Sequence, residues 1–172
     1  MGSLSPRKSF KSFVRELKEN NMKPLVVLLS SFVIATFVIK IINKDHNFAL
    51  SARIAMSVML CFTAIGHFAF TKGMSMIIPQ FIPFKTNLVY LTGLFEILLA
   101  IGLLIPKLKM ISGWTLIVFL LLILPANIYA SFHNIDYQKG TFDGNGLSYL
   151  WFRIPLQFLF IAWTYISSIR FL

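Results

Sequence analysis

Five long runs of apolar residues alternate with short polar segments along the chain. Each run is close to the ~20 residues that a helix needs to cross the hydrocarbon core of a bilayer. The pattern therefore predicts an all-α integral membrane protein with five spans. We name them the leading span, at 24–42, and spans A to D, at 52–70, 86–105, 110–132 and 149–168.

Composition supports lipid rather than water as the solvent of this chain. Of its 172 residues, 57% are hydrophobic and 13% are charged. Soluble domains average about 45–50% apolar and about 25% charged residues. The length suits a single domain, and the polar segments contain no separate soluble domain.

The cysteine and glycine patterns exclude several kinds of chemistry. The single cysteine, Cys61, lies inside span A, so the chain has no dithiol of its own for redox work. The Cys/His spacing typical of zinc sites is absent, and so is a glycine-rich phosphate loop. We predict no metal site and no redox role for Cys61, and the sequence favours no catalytic activity of the chain on its own.

The net charge of +10 flanks the apolar runs, which favours anionic lipid headgroups over nucleic acid as the partner. In the N-terminal segment, 1–23, Phe10, Phe13, Val14 and Leu17 recur at helical spacing. This pattern predicts an amphipathic helix on the membrane surface; a solvated basic tail is the alternative. The six cations of the segment are Arg7, Lys8, Lys11, Arg15, Lys18 and Lys23.

The distribution of Lys and Arg predicts the orientation, because these residues accumulate on the cytoplasmic side. A cytoplasmic N-terminus places the basic segment inside, together with Lys72, Lys85 and Lys139. The spans alone would favour the reverse orientation, but the six cations of the N-terminal segment outweigh that preference. The cations left outside are Lys40, Lys44, Arg53, Lys107, Lys109 and Arg170.

Glu96 occupies the middle of span B, about 15 Å from the N-terminal end of that span at ~1.5 Å per residue. Its helical row also holds Gly93 and Ala100, small residues that let a second helix approach closely. We predict that Glu96 faces the interior and pairs with Arg153 or Gln157 of span D, directly or through one polar group or water. The polar cluster predicted in this half of the membrane comprises His67, Glu96, Asn127, Arg153 and Gln157.

Two interpretations of this polar cluster are open. Ionisable residues inside a membrane are a functional hypothesis by default, so the cluster is a candidate ligand site. Alternatively, its hydrogen bonds serve only to lock the helices together. His67 and His133 are an unaligned pair and therefore weak evidence for a haem.

Prolines interrupt one connection and one span. Pro79 and Pro83 break any helix in the A–B connection, which we predict to be an interfacial lid or a simple connector. Pro125 lies inside span C and frees the carbonyl of Leu121, which a nearby polar group or water must satisfy. Asn127 is placed to organise that region.

Six short motifs follow one another from span A to span D: GHF, IPQFIP, GLFE, GLLIPK, PANI and RIPLQFLFIAW. In this order, over residues 53–163, they resemble the DoxX-like family of small membrane proteins. The resemblance implies an antiparallel four-helix transmembrane bundle over 52–168, to which the leading span is an addition. The matching positions are Gly66, His67, Pro79, Pro83, Gly93, Glu96, Pro106, Pro125, Asn127, Arg153, Pro155 and Gln157.

DoxX-like proteins are linked to quinone-coupled sulfur oxidation and to membrane redox complexes. The resemblance thus implies an accessory subunit of a redox complex in the bacterial inner (cytoplasmic) membrane. Its ligand would be a quinone held at the polar cluster, and its partners the other redox subunits. The second hypothesis is a scaffold subunit with no ligand; a transporter is third, because no inverted repeats are evident.

Overall fold

The computed structural model describes residues 22–44, 47–144 and 146–170, and these residues form six helices and no strand. The last helix continues into a π-helical turn at Ile166–Arg170. The surface helix predicted for the basic N-terminal segment falls almost wholly outside the described residues. The helices are α1 (Lys23–Asn43), α2 (Phe48–Ala69), α3 (Thr71–Ile77), α4 (Lys85–Leu104), α5 (Lys109–Phe132) and α6 (Leu147–Tyr165).

Five helical segments are long and apolar enough to cross a membrane, which confirms the predicted number. They are α1, α2, α4, α5 and the stretch Leu150–Arg170, which joins α6 to the π-helical turn. The largest difference in boundaries is at α2, which begins four residues before the predicted start of span A. Asn47 caps it, since its side chain accepts a hydrogen bond from the Leu50 N–H at 2.9 Å. As a result, Arg53 lies in the second turn of a helix and not at its edge.

The helices pack in an order that brings distant parts of the sequence together. α4 packs most extensively on α2, and α1 also packs on α2. α5 contacts both α4 and α6. The π-helical turn returns to contact α2 and α5. The apolar core at the centre is built from side chains of α1, α2, α4, α5 and α6, among them Leu28, Met56, Leu60, Leu103, Leu116 and Phe160.

Close helix packing depends on small residues at two interfaces. A Cβ added at Gly102 of α4 would overlap the Ser112 hydroxyl of α5. A Cβ at Gly113 of α5 would lie 3.0 Å from the Cβ of Ser168 in the π-helical turn. Small side chains at such contacts let helices approach through backbone packing, as in membrane proteins.

The outer faces of the long helices carry large apolar side chains. Val33, Phe37, Ile65, Leu122 and Phe158 are each at least 60% exposed. A water-soluble monomer rarely exposes apolar patches of more than a few hundred Å². The five apolar helices are therefore compatible with a multi-pass membrane protein.

The two longer connections meet at one end of the molecule. The A–B connection contains a short helix that we did not predict, α3, whereas Pro79 and Pro83 lie outside helices, as expected. A Cβ at Gly73 of α3 would collide with the backbone carbonyl of Tyr137 in the α5–α6 connection. That connection turns through Gly140, whose φ of +67° favours glycine. The connection after α2 therefore lies against the one after α5.

Candidate functional site

Glu96 is buried, as predicted, and it faces α2. Its carboxylate accepts a hydrogen bond from the Thr63 hydroxyl at 2.8 Å, and its other oxygen lies 3.5 Å from His67 Nε2. Thr63 and His67 are one turn apart on α2, so one face of that helix meets both carboxylate oxygens. With only 6% of its surface exposed, Glu96 has a polar partner on each oxygen.

Gly93 permits this arrangement. It precedes Glu96 by one turn on α4, and a Cβ at this position would lie 2.9 Å from the Cβ of His67. Real Cβ contacts are essentially never that short. The absence of a side chain at Gly93 therefore brings α4 close enough to α2 for Glu96 to reach His67.

The other ring nitrogen of His67 fixes the orientation of the imidazole. Nδ1 lies 3.2 Å from the Val89 carbonyl oxygen and 3.1 Å from the Thr92 hydroxyl. A carbonyl only accepts hydrogen bonds, so the contact with Val89 is a hydrogen bond in the tautomer that carries a proton on Nδ1. The Thr92 hydroxyl can donate instead to the carbonyls of its own helix, at 2.9 Å to Val89 and 3.0 Å to Leu88.

His67 Nε2 is the ring nitrogen that faces Glu96. A distance of 3.5 Å is longer than a normal hydrogen bond, so the two groups are neighbours that are not tightly bonded. The hydrogen bond from Thr63, at 2.8 Å, is the shorter of the two polar contacts of the carboxylate.

Glu96 and Arg153 form no direct ion pair, whereas a link through one polar group or water, which the prediction also allows, stays a prediction. Both residues are described, and no ion pair joins them within 4.0 Å. α6, which carries Arg153, packs chiefly on α5, whereas α4 packs chiefly on α2. The structure thus divides the predicted polar cluster between two helix interfaces.

The second interface contains Gln157, which is 6% exposed. Its Nε2 donates a hydrogen bond to the backbone carbonyl of Leu120 in α5. The adjacent carbonyl, of Leu121, has no amide donor at its usual helical position, because that position is Pro125. Gln157 is therefore the polar side chain beside the proline, a position for which the sequence predicts Asn127.

Gln157 also lines a shallow apolar groove that is partly open to the outside. Its Nε2 bonds the Leu120 carbonyl, whereas its Oε1 is buried without a hydrogen-bond partner. The walls of the groove are Leu121, Leu124, Ile154, Gln157, Phe158 and Ile161.

The other residues singled out from the sequence are spread over the fold. Asn127 is 6% exposed in α5, and its backbone carbonyl accepts a hydrogen bond from the Ser131 hydroxyl at 3.0 Å. Pro155 lies inside α6, and Pro106 follows the end of α4. Gly66 lies on α2, where an added Cβ would make an ordinary contact with Met74 at 3.6 Å.

Two functional features were missed. Thr92 lies one turn before Glu96 on α4, so the four-residue spacing of two polar groups was the available signal. Arg53 is partly buried, and its Nε and Nη1 are enclosed without hydrogen-bond partners. Among the residues that the structure describes, no three His, Cys, Asp or Glu side chains converge as metal ligands would.

The comparison with protein families adds one finding. Residues 56–168 match the family described as Domain of unknown function (DUF8561). The chain belongs to the DUF8561 family. Its DUF8561 region contains both the Glu96–His67 contact and the Gln157 groove, and it excludes α1 and Arg53. No curated protein and no solved structure matches the chain.

Proposed function

We propose that this DUF8561 protein is a DoxX-like integral membrane protein that serves as an accessory subunit of a membrane redox complex. In this proposal α2, α4, α5 and α6 are the antiparallel four-helix bundle, and α1 is the additional span. The ligand is a quinone-type ring. The membrane is the bacterial inner membrane, with the N-terminus in the cytoplasm.

The observation that carries the ligand proposal is the unpartnered Oε1 of Gln157 in an apolar groove. A buried acceptor without a donor costs about 1–3 kcal/mol, which a ligand hydroxyl would recover. Leu121, whose carbonyl Pro125 deprives of its usual donor, is also a wall residue of this groove. The unpartnered atom of Gln157 is an acceptor, so the site favours the hydroxyl of a reduced quinol over the carbonyl of a quinone.

The position of the groove also fits part of such a ligand. It is a shallow depression and not an enclosed pocket, so only the edge of a ring would lie in it. Phe158 and Leu121, on its walls, are 60% and 48% exposed on the outer face. A ring could enter from lipid while an apolar tail stayed in the bilayer.

Binding of a short-chain benzoquinol to the purified protein in detergent tests this proposal. We expect Gln157→Leu to weaken binding about fivefold, the factor that corresponds to ~1 kcal/mol for one hydrogen bond. Gln138→Leu, the same change in the α5–α6 connection, should leave binding intact. The dimethyl ether of the quinol, which has no donor, should bind the wild type as weakly as the quinol binds Gln157→Leu.

Equal binding of the quinol and its dimethyl ether would contradict the assigned role of Gln157. A second result would contradict the whole ligand proposal. It is that lipid extracts of the protein purified from native membranes contain no quinone or quinol, and that the protein binds none in detergent. The scaffold function would then be favoured. The hydrogen bond from Thr63 to Glu96, with His67 beside the carboxylate, supports that second candidate, because this contact joins α2 to α4 without a ligand.

The proposed topology makes a separate prediction. Five spans place Met1 and Leu172 on opposite sides of the membrane, with Met1 in the cytoplasm. Reporter fusions at each terminus, one active only in the cytoplasm and one only outside, should therefore give opposite signals. The same signal from both ends would mean that one of the five apolar helices, α1 being the least buried, does not cross.

A further inference from the structure

The structure points to a second binding site, at Arg53, and we propose that it holds the phosphate headgroup of an anionic phospholipid. This inference rests on the proposed membrane insertion but not on the ligand at Gln157. Arg53 lies near the N-terminal end of α2, whereas His67 lies near its C-terminal end. Arg53 also lies outside the region matched by the DUF8561 family.

Register locates Arg53 relative to α4. The two helices are antiparallel, so contacts nearer the N-terminus of α2 lie nearer the C-terminus of α4. His67 lies against Gly93, Thr63 donates to Glu96, and Ser57 donates to the Ala100 carbonyl at 2.8 Å. One more turn reaches Arg53, level with the last residue of α4, Leu104. The guanidinium is therefore near the membrane boundary, where lipid headgroups lie.

The guanidinium lacks the partners that its burial requires. Nε and Nη1 are enclosed and make no hydrogen bond, although an arginine at such a site normally has an acceptor for each. The negative end of the α4 dipole offsets part of the charge, but only about half an elementary charge is present there. Nε and Nη1 lie on opposite edges of the guanidinium, so no single anion accepts from both. Nη2 is not enclosed, and a phosphate there would accept a charge-assisted hydrogen bond and offset the charge.

The surrounding charge favours an anion from outside the chain. Described acidic residues are absent from this end, since Glu96 is paired with His67, and Asp136 and Asp143 lie in the α5–α6 connection. The other cations at this end are Lys40 at the end of α1, Lys44 after it, Lys107 and Lys109 around the start of α5, and Arg170 at the end of the π-helical turn.

A lipid fits this site better than a free anion. Arg53 as a whole is only partly buried, so Nη2 can be reached from outside, although Nε and Nη1 cannot. Ile41 and Ile42 of α1 and Ile105 after α4 are exposed at the same end, at 62%, 72% and 40%. A phospholipid would place its phosphate on Arg53 and its acyl chains along these apolar side chains.

Native mass spectrometry of the detergent-purified protein, after mixing with phosphatidylglycerol or phosphatidylcholine, tests the site. We expect the wild type to retain one phosphatidylglycerol in preference to phosphatidylcholine. Arg53→Met, which keeps the length of the side chain and removes the charge, should weaken that retention about tenfold, since charge-assisted bonds are lost. Lys107→Met removes an exposed cation at the same end and should retain the lipid.

Thermal unfolding supplies a second measurement, because it does not depend on lipid surviving purification. In neutral detergent alone, Arg53→Met should unfold at or above the wild-type temperature, since an apolar residue of similar length removes an unpaired buried charge. Phosphatidylglycerol should raise the unfolding temperature of the wild type and of Lys107→Met but not that of Arg53→Met. Gln157→Leu should respond like the wild type, which separates this site from the quinol groove.

Several results would overturn the lipid assignment. Equal retention of both lipids, or unchanged retention in Arg53→Met, would show that the headgroup does not bind Arg53. Equal stabilisation by inorganic phosphate would make the ligand a free anion. Asp45 lies outside the described residues, in the connection between α1 and α2. If Asp45→Asn abolished the difference between wild type and Arg53→Met in neutral detergent, the partner of Arg53 would be a carboxylate of the chain itself.

Discussion

Gly93→Ala is expected to destabilise the protein by about 1–3 kcal/mol, the range for forcing an extra methyl group into a packed contact. The new Cβ would lie 2.9 Å from the Cβ of His67, which is fixed to the α2 backbone and cannot rotate away. α4 must therefore move from α2, and the Glu96–His67 contact lengthens. Thermal unfolding in detergent should show a decrease of roughly 2–4 °C for each kcal/mol.

Gly66→Ala is the matched control for this prediction. It makes the same change in the interior of a long helix, but the new Cβ would meet only the flexible end of Met74, at 3.6 Å. Alanine has the higher helix propensity, by about 1 kcal/mol, so Gly66→Ala should be neutral or stabilising. If both variants lost the same stability, the close approach at Gly93 would not be what matters.

A double-mutant cycle on Glu96 and His67 should show the second large effect. Glu96→Leu or His67→Leu alone leaves a buried polar partner without its neighbour, at a cost of about 1–3 kcal/mol. The double variant should lose less than the sum of the two, with a coupling of about 0.5–3 kcal/mol. Unfolding temperatures of the four proteins in one detergent give the coupling.

Arg153 provides the control cycle. Arg153→Leu combined with Glu96→Leu should be additive, because the structure places these residues at different interfaces and joins them by no ion pair. Coupling between Glu96 and Arg153 as strong as that between Glu96 and His67 would revive the direct pair predicted from the sequence. Additivity in both cycles would mean that Glu96 makes no specific pair at all.

These cycles also separate packing from function. If the Glu96–His67 contact only holds α4 against α2, the double variant should bind the benzoquinol as the wild type does. If the contact itself takes part in the redox work of a complex, the double variant should fold and bind but fail to support that activity.

The sequence predicted the positions of the helices better than it predicted which helices pack against each other. Apolar length is sufficient to find five spans, and the small residues in the row of Glu96 are sufficient to turn that residue inward. Helical periodicity shows which side of a helix is buried, however, and not which other helix packs against that side. Depth in the membrane was compatible with a partner on span A or on span D, and the close approach at Gly93 decides for α2.

Arg53 illustrates a different limit of prediction from sequence. Its position at the edge of an apolar run suggested an exposed flanking cation, as in most membrane helices. The Asn47 cap extends α2 by a turn, and the register with α4 then takes the guanidinium into a partly buried position. Asn47 was a visible capping signal in the sequence, but the burial depends on packing between helices that no local pattern specifies.

The order of the Glu96 contact along the chain has a consequence for biogenesis. Ribosomal synthesis proceeds from the N-terminus, so α2, with Thr63 and His67, is made before α4. A carboxylate arriving alone at the middle of the bilayer would carry an insertion penalty of about 2.5–3.5 kcal/mol. Here the helix that satisfies Glu96 has already emerged when α4 leaves the translocon, so α4 can enter the membrane beside it rather than alone.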